Sequence, residues 1–152
     1  MRLYSKEITK ERDGETVEVA GWVNEKRELG KVSFIRLRDE KGYVQITTKD
    51  ENIIDIIRSI KKESVISVVG VVSANETAPR GVEIIPEKID VISRADPIPI
   101  DMHKKENTTL DKRLNNRPID LRNPENNLVF RVQSCLVQGF LDYLNKNGFV
   151  SR

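Results

Sequence analysis

Between residues 15 and 93 the apolar side chains recur at every second position, switch once to a helical spacing, and then return to alternation. Alternation sends successive side chains to opposite faces of a strand, so one face can enter a core while the other meets water. The stretch "ETVEVAGWVNEKRE" (15–28) alternates through Val17, Val19 and Val23, with Gly21 where a strand can bend sharply. "VSFIRLRD" follows after "LGK", and "DEKG" supplies a turn into "YVQITT", so the first three strands run as a meander. The period then changes in "DENIIDIIRSIKKE" (50–63), where Ile53, Ile54, Ile56, Ile57 and Ile60 form a helical stripe. Asp50 is placed to cap the start of this helix, and Lys61 and Lys62 fall in its expected last turn. "SVISVVGVVSA" (64–74) and "VEIIPEKIDVIS" (82–93) are again strands.

The order β-β-β-α-β-β predicts a mainly β domain over residues 1–100, a five-stranded Greek-key barrel with one inserted helix. That is the OB-fold, whose binding surface lies on strands two and three and the adjoining loops. A different small barrel or an α+β sandwich is the alternative from pattern alone. Residues 94–122 hold three of the six prolines and no clear period, so they read as a connector, with 101–122 as the hinge proper. Asn123, Pro124 and Glu125 then open a helix whose apolar face runs through Leu128, Val132, Cys135 or Leu136, Phe140, and Tyr143 or Leu144 to a stop at Gly148. Residues 123–152 therefore read as the start of a second domain.

Cys135 is the only cysteine and His103 the only histidine. They exclude a disulfide framework and a Cys/His zinc site, and no metal site is expected. Cys135 reads as a small buried hydrophobe on the helix stripe, and His103 as a solvated loop residue. No apolar run approaches the roughly 20 residues of a membrane span, and "MRLYSKEITKERDGE" lacks a secretory pattern, so a cytoplasmic setting is expected. With 26 basic and 24 acidic residues the chain is nearly neutral, and any nucleic-acid site must be a local arrangement.

One residue breaks the alternation. Val32, Phe34, Arg36 and Arg38 share the side of the second strand opposite Ile35 and Leu37, so Phe34 stands among arginines on the face that should meet water. Either it packs beneath the helix or a loop, or it is a platform on which an unpaired base stacks. In the second case Arg36, Arg27 and Gln45 could supply polar contacts to backbone and base edges. Glu83, read alone, is a solvated strand residue.

Taken together, "AGWVNEKRELGKVSFIRLRDEKGYVQITT", "ESVISVVGVV", "APRGVEIIPEKIDVISRADPIPID" and "DKRLNNRPIDLRNPE" resemble the N-terminal anticodon-binding domain and hinge of aspartyl-tRNA synthetase, especially the archaeal type. The resemblance covers nearly the whole chain and is most specific in "RLNNRPIDLR" (113–122); the barrel motifs are shared with asparaginyl- and, more loosely, lysyl-tRNA synthetases. It implies that Phe34 stacks on the middle anticodon uridine, that Gln45 contacts the first anticodon base, and that Glu83 and Arg27 also touch anticodon bases. Asn24 and Pro79 match positions bearing on the third anticodon base. Aspartate-restricted members often carry tryptophan at the first and lysine near the second, whereas relaxed archaeal members tend to have histidine and proline.

Asn24 matches neither pattern and Pro79 the relaxed one, so the resemblance implies tRNA for aspartate as partner and leaves tRNA for asparagine open, with a homodimeric full-length enzyme that uses ATP and magnesium. "NNLVFRVQSCLVQGFLDYLNKNGFV" resembles the motif-1 helix of class II synthetases, but motifs 2 and 3 are not found, so no catalytic residue and no cofactor is expected in these 152 residues. A stand-alone OB-fold that binds single-stranded nucleic acid, or the same region of an asparaginyl-tRNA synthetase, is the competing reading. In the hinge, Arg113, Asn116, Arg117, Asp120 and Arg122 suit either structural ion pairing or tRNA contact.

Overall fold

A computed structural model describes residues 2–101 and 107–150; His103 lies outside them. The chain divides into two compact units, Met1–Ile98 and Pro99–Arg152. In the first, β1 (Thr16–Leu29), β2 (Val32–Arg38), β3 (Tyr43–Thr48), β4 (Val65–Ala74) and β5 (Val82–Ser93) close into a barrel in the order β1-β2-β3-β5-β4, with α1 (Glu51–Ser59) between the third and fourth strands. All pairings are antiparallel except β3 with β5, which meet in parallel at Ile46 and Ile84 and complete the ring.

Closure depends on β1 serving two neighbours. Its first half pairs with β4 and its second half with β2, the changeover falling at Trp22. At that corner the backbones nearly touch: a Cβ on Gly21 would lie 2.1 Å from the Arg38 carbonyl oxygen, so only glycine fits. The register then shifts between Val23 and Glu25, and the extra residue of this bulge, Asn24, is buried. Inside the barrel the alternating residues meet as expected, Val17, Val19 and Val23 with Ile35, Leu37, Val44, Ile46, Ile66, Val68, Val72, Val82, Ile84 and Ile89.

The inserted helix is shorter than its periodicity predicts. It begins at the Asp50 cap, whose carboxylate accepts from Asn52 N at 2.8 Å, but it ends at Ser59, leaving Lys61 and Lys62 outside. Arg58 is the basic residue of its last turn, and a residue from the barrel adds a second positive charge at its end. Lys26 Nζ donates to the carbonyl oxygens of Ile57, Arg58 and Ile60 at 3.2, 3.0 and 2.7 Å. Ile53, Ile57 and Ile60 plug the barrel, while Ile56 is 36% exposed and lies off the buried stripe.

The first residues form two 3-10 turns, Ser5–Glu7 and Lys10–Arg12, that bury Leu3, Ser5 and Ile8. Asp39 in the β2–β3 turn holds them: its carboxylate accepts from Ser5 Oγ at 2.7 Å and from the backbone of Lys41 and Gly42 at 2.8 and 2.9 Å.

In the second unit the connector is not irregular throughout, contrary to the expectation. It forms α2 (Leu110–Asn115) and α3 (Arg117–Asp120) ahead of α4 (Pro124–Lys146). The buried carboxylate of Asp120 organises them, accepting from Arg113 Nε and Asn126 Nδ2 at 2.8 Å each and from Arg117. Hydrogen bonds from Arg113, and the charges of both arginines, hold this carboxyl below the usual carboxylate range. Arg113, Arg117 and Asp120 thus pair structurally, and Asn116 donates to the Lys112 carbonyl at 2.9 Å. Asn123 caps α4 through Glu125 N at 2.9 Å, and Gly148 leaves it at φ +81°. Cys135 is exposed rather than buried, as are Leu128, Val132, Leu136 and Phe140, because nothing among the described residues packs on that face. No helix among the described residues is long and apolar enough to cross a membrane.

Candidate nucleic-acid interface

The outer face of β1, β2 and β3 carries the predicted residues in adjacent rows. Arg27 stands opposite Phe34, and Phe34 opposite Thr47; one row on, Glu25 faces Arg36 and Arg36 faces Gln45. Ile35 and Leu37 are turned fully inward, so Phe34 is outward and half-exposed, with neither helix nor loop sealing it. Arg38 does not continue the row. It is buried, pairs with Glu63 at 2.8 Å and lies over Trp22, because the β1 corner folds across the end of β2.

A groove of about 1210 Å³ runs over this face and is walled by the segment between β4 and β5. Lys6, Arg27, Arg36, Lys41, Lys49 and Arg80 line it against only Glu25 and Glu83. A nearly neutral chain therefore gathers a local cationic surface, which is what a polyanion requires.

Glu83 is not a solvated strand residue but a 5% exposed carboxylate at the groove floor. It accepts from Gln45 Nε2 at 2.9 Å, from Asn75 Nδ2 at 2.8 Å and from Thr47 Oγ1. Burial alone would raise its pKa, but the hydrogen bonds from Thr47, Asn75 and Gln45 outweigh that and hold it below the ordinary range. It is therefore an ionised acceptor that fixes the Gln45 amide, placing base-edge donors and acceptors beside the Phe34 ring.

Arg27 is held by a two-pronged ion pair to Glu25, with both contacts at 3.1 Å. Pro79 opens a 3-10 turn, Pro79–Gly81, on the groove wall. Its neighbour Arg80, at φ +66°, donates to the carbonyls of Ser5, Lys6, Ile8 and Tyr43, at 2.7 Å to Ser5 and 3.3 Å to the others, and so locks the N-terminal turns against the wall. Asn24 stands apart: it is buried at the β1 bulge and does not line the groove. Sequence reasoning missed Asn75 and Arg80, which lie in a loop without periodicity. Thr47 shares the parity of Gln45, a signal that could have placed it.

A closed five-stranded barrel with a cationic groove, an outward aromatic and oriented amide and carboxylate groups on β2, β3 and β5 defines an OB-fold nucleic-acid-binding domain. Residues 17–92 match the family model described as the OB-fold nucleic acid binding domain, and the chain belongs to that family. Within it, the chain matches the N-terminal region of aspartyl-tRNA synthetases. It is 41% identical, over 97% of its own length, to the aspartate–tRNA(Asp/Asn) ligase of Methanopyrus kandleri and 42% identical to the aspartate–tRNA(Asp) ligase of Thermococcus kodakarensis. It spans 35% of the length of each. Among solved structures, asparaginyl-tRNA synthetase from Pyrococcus horikoshii complexed with asparaginyl-adenylate superimposes with a TM-score of 0.86 at 30% identity, covering 98% of this chain and 35% of that one.

Proposed function

We propose that the chain recognises the anticodon of tRNA for aspartate, as the N-terminal part of an aspartate–tRNA ligase. The observation that carries this reading is the Gln45–Glu83 pair set beside an outward Phe34 on a cationic barrel face. The ring offers a stacking surface to the middle anticodon base, and the fixed amide and carboxylate offer hydrogen bonds to the edge of the first. Arg27 and Arg36 supply positive charge along the same strands. The aspartate ligases to which the chain is similar support the assignment to aspartate.

The proposal extends to tRNA for asparagine. Pro79 on the groove wall follows the relaxed pattern, and Asn24 at the bulge presents nothing to the groove that would reject a third base. In the whole enzyme, proposed to be a cytoplasmic homodimer, ATP and magnesium would serve aspartylation in a catalytic part with which residues 123–152 begin. The barrel itself binds without a cofactor.

Titration of the chain and of Phe34→Ala with stem-loops bearing the aspartate and asparagine anticodons tests this. The variant should bind the aspartate loop more weakly by about 1–3 kcal/mol with its fold intact. Equal binding by both proteins would refute anticodon recognition at this face.

A further inference from the structure

Arg36 has an unusual setting among the arginines of the groove. Arg27 is held by the Glu25 carboxylate and Arg80 by four carbonyl oxygens, whereas the guanidinium of Arg36 makes no hydrogen bond or ion pair with the described residues. Its partner is a ring: Cζ lies 4.2 Å from the centroid of Tyr43. At that distance the planar cation rests on the π face. Both side chains line the groove, Arg36 is exposed, and Tyr43 is half-buried beneath it.

We propose that Arg36 laid on Tyr43 forms a second stacking platform, which takes a nucleobase of single-stranded RNA next to the one seated on Phe34. This rests on the reading of the groove as an anticodon site. A guanidinium seated on a ring keeps its other face for a base, and arginine planes stack bases as aromatic rings do. The tyrosine fixes the plane in advance, so little side-chain freedom is lost when the base arrives. Arg36 follows Phe34 by two residues on β2, an advance of about 7 Å along the strand. Stacked bases advance only ~3.4 Å. Two platforms so spaced hold neighbouring bases splayed apart, with Gln45, which faces Arg36 on β3, and its partner Glu83 beside them.

The test is a set of titrations of the chain with the aspartate anticodon stem-loop and with copies in which each loop nucleotide in turn is abasic. Tyr43→Leu and Arg36→Lys should each weaken binding of the intact loop by about fivefold or more, whereas Tyr43→Phe, which keeps the ring, should match the parent. The Tyr43→Leu penalty should vanish at one abasic position, different from the position that abolishes the Phe34→Ala penalty. Arg36→Lys at parental affinity would reduce Arg36 to a point charge and overturn the platform. Tyr43→Leu within about twofold of the parent, with Phe34→Ala still impaired, would overturn the platform and leave anticodon binding standing. If Phe34→Ala also binds normally, the site reading itself fails. Thermal melts of each variant establish that it is folded, and Arg36→Lys, an exposed change, keeps the test open should Tyr43→Leu unfold.

Discussion

Gln45 and Glu83 lie 38 residues apart on different strands, yet the amide nitrogen of one sits 2.9 Å from the carboxylate of the other. Their strands are the two that close the barrel through the parallel pairing of Ile46 with Ile84. The contact that shapes the groove floor is thus placed by the residues that complete the fold. The inner face of each strand buries Ile46 or Ile84 in the core, and the outer face carries Gln45 or Glu83 into the groove.

Replacing the carboxylate should expose this coupling. In Glu83→Gln the ionised acceptor for Thr47, Asn75 and Gln45 becomes an amide whose NH2 group faces donors. We expect binding of an aspartate anticodon stem-loop to fall by about tenfold or more, with about 1–3 kcal/mol lost from barrel stability. Paired binding isotherms and urea unfolding curves measure both effects.

Acid should weaken each unit through a different carboxylate. Glu83 and Asp120 both have folded pKa values below their ordinary ones, so each stabilises the fold above the unfolded value of about 4. That contribution is lost as pH falls through the lowered folded values. Melting followed from neutral pH to about pH 2 should show a plateau and then a decline. Glu83→Gln should flatten the decline of the barrel, and Asp120→Asn that of the α2–α4 unit, as read by amide exchange.

Lys26 offers a separation of stability from binding. Lys26→Met keeps the aliphatic stem but removes the ammonium that donates to three carbonyls at the end of α1. A loss of about 1–2 kcal/mol is expected in chemical denaturation, with stem-loop affinity unchanged because Lys26 points away from the groove residues toward the helix. An affinity loss as large as the stability loss would contradict this division.

Gly21→Ala should be among the most damaging single-atom additions in the barrel. Its new Cβ would sit 2.1 Å from a backbone oxygen that cannot step aside without breaking the β1–β2 corner. We expect destabilisation of about 3 kcal/mol or more, against a smaller loss of about 1–2 kcal/mol at Gly30, where a Cβ would meet open space and only the positive φ resists it. Thermal melts of the two variants decide this.

What could be read beforehand follows from periodicity. Five alternating runs and one helical stripe gave the order of elements along the chain and pointed to a barrel, with an α+β sandwich as the alternative, since a strand with one apolar face has few ways to bury it. The outward Phe34 was visible as an exception to that alternation. Glu83 was not: a lone glutamate in a strand looks solvated, and it is buried here only because Thr47, Asn75 and Gln45 converge on it from elsewhere. Arg38 was misleading for the opposite reason, since parity put it on the open face while the β1 corner covered it. The early end of α1 was likewise hidden, because its capping charge comes from β1.

The sequence by itself determined which side chains alternate, where the chain turns, and that an aromatic stands among arginines on a face meant for water; these are local properties, set by neighbouring residues along the backbone. Only the tertiary structure decided which polar groups become a site. The hydrogen bond of Gln45 to Glu83 requires angstrom-scale approach of β3 and β5, which meet only once the ring of strands has closed, and the stack of Arg36 on Tyr43 requires the pairing of β2 with β3.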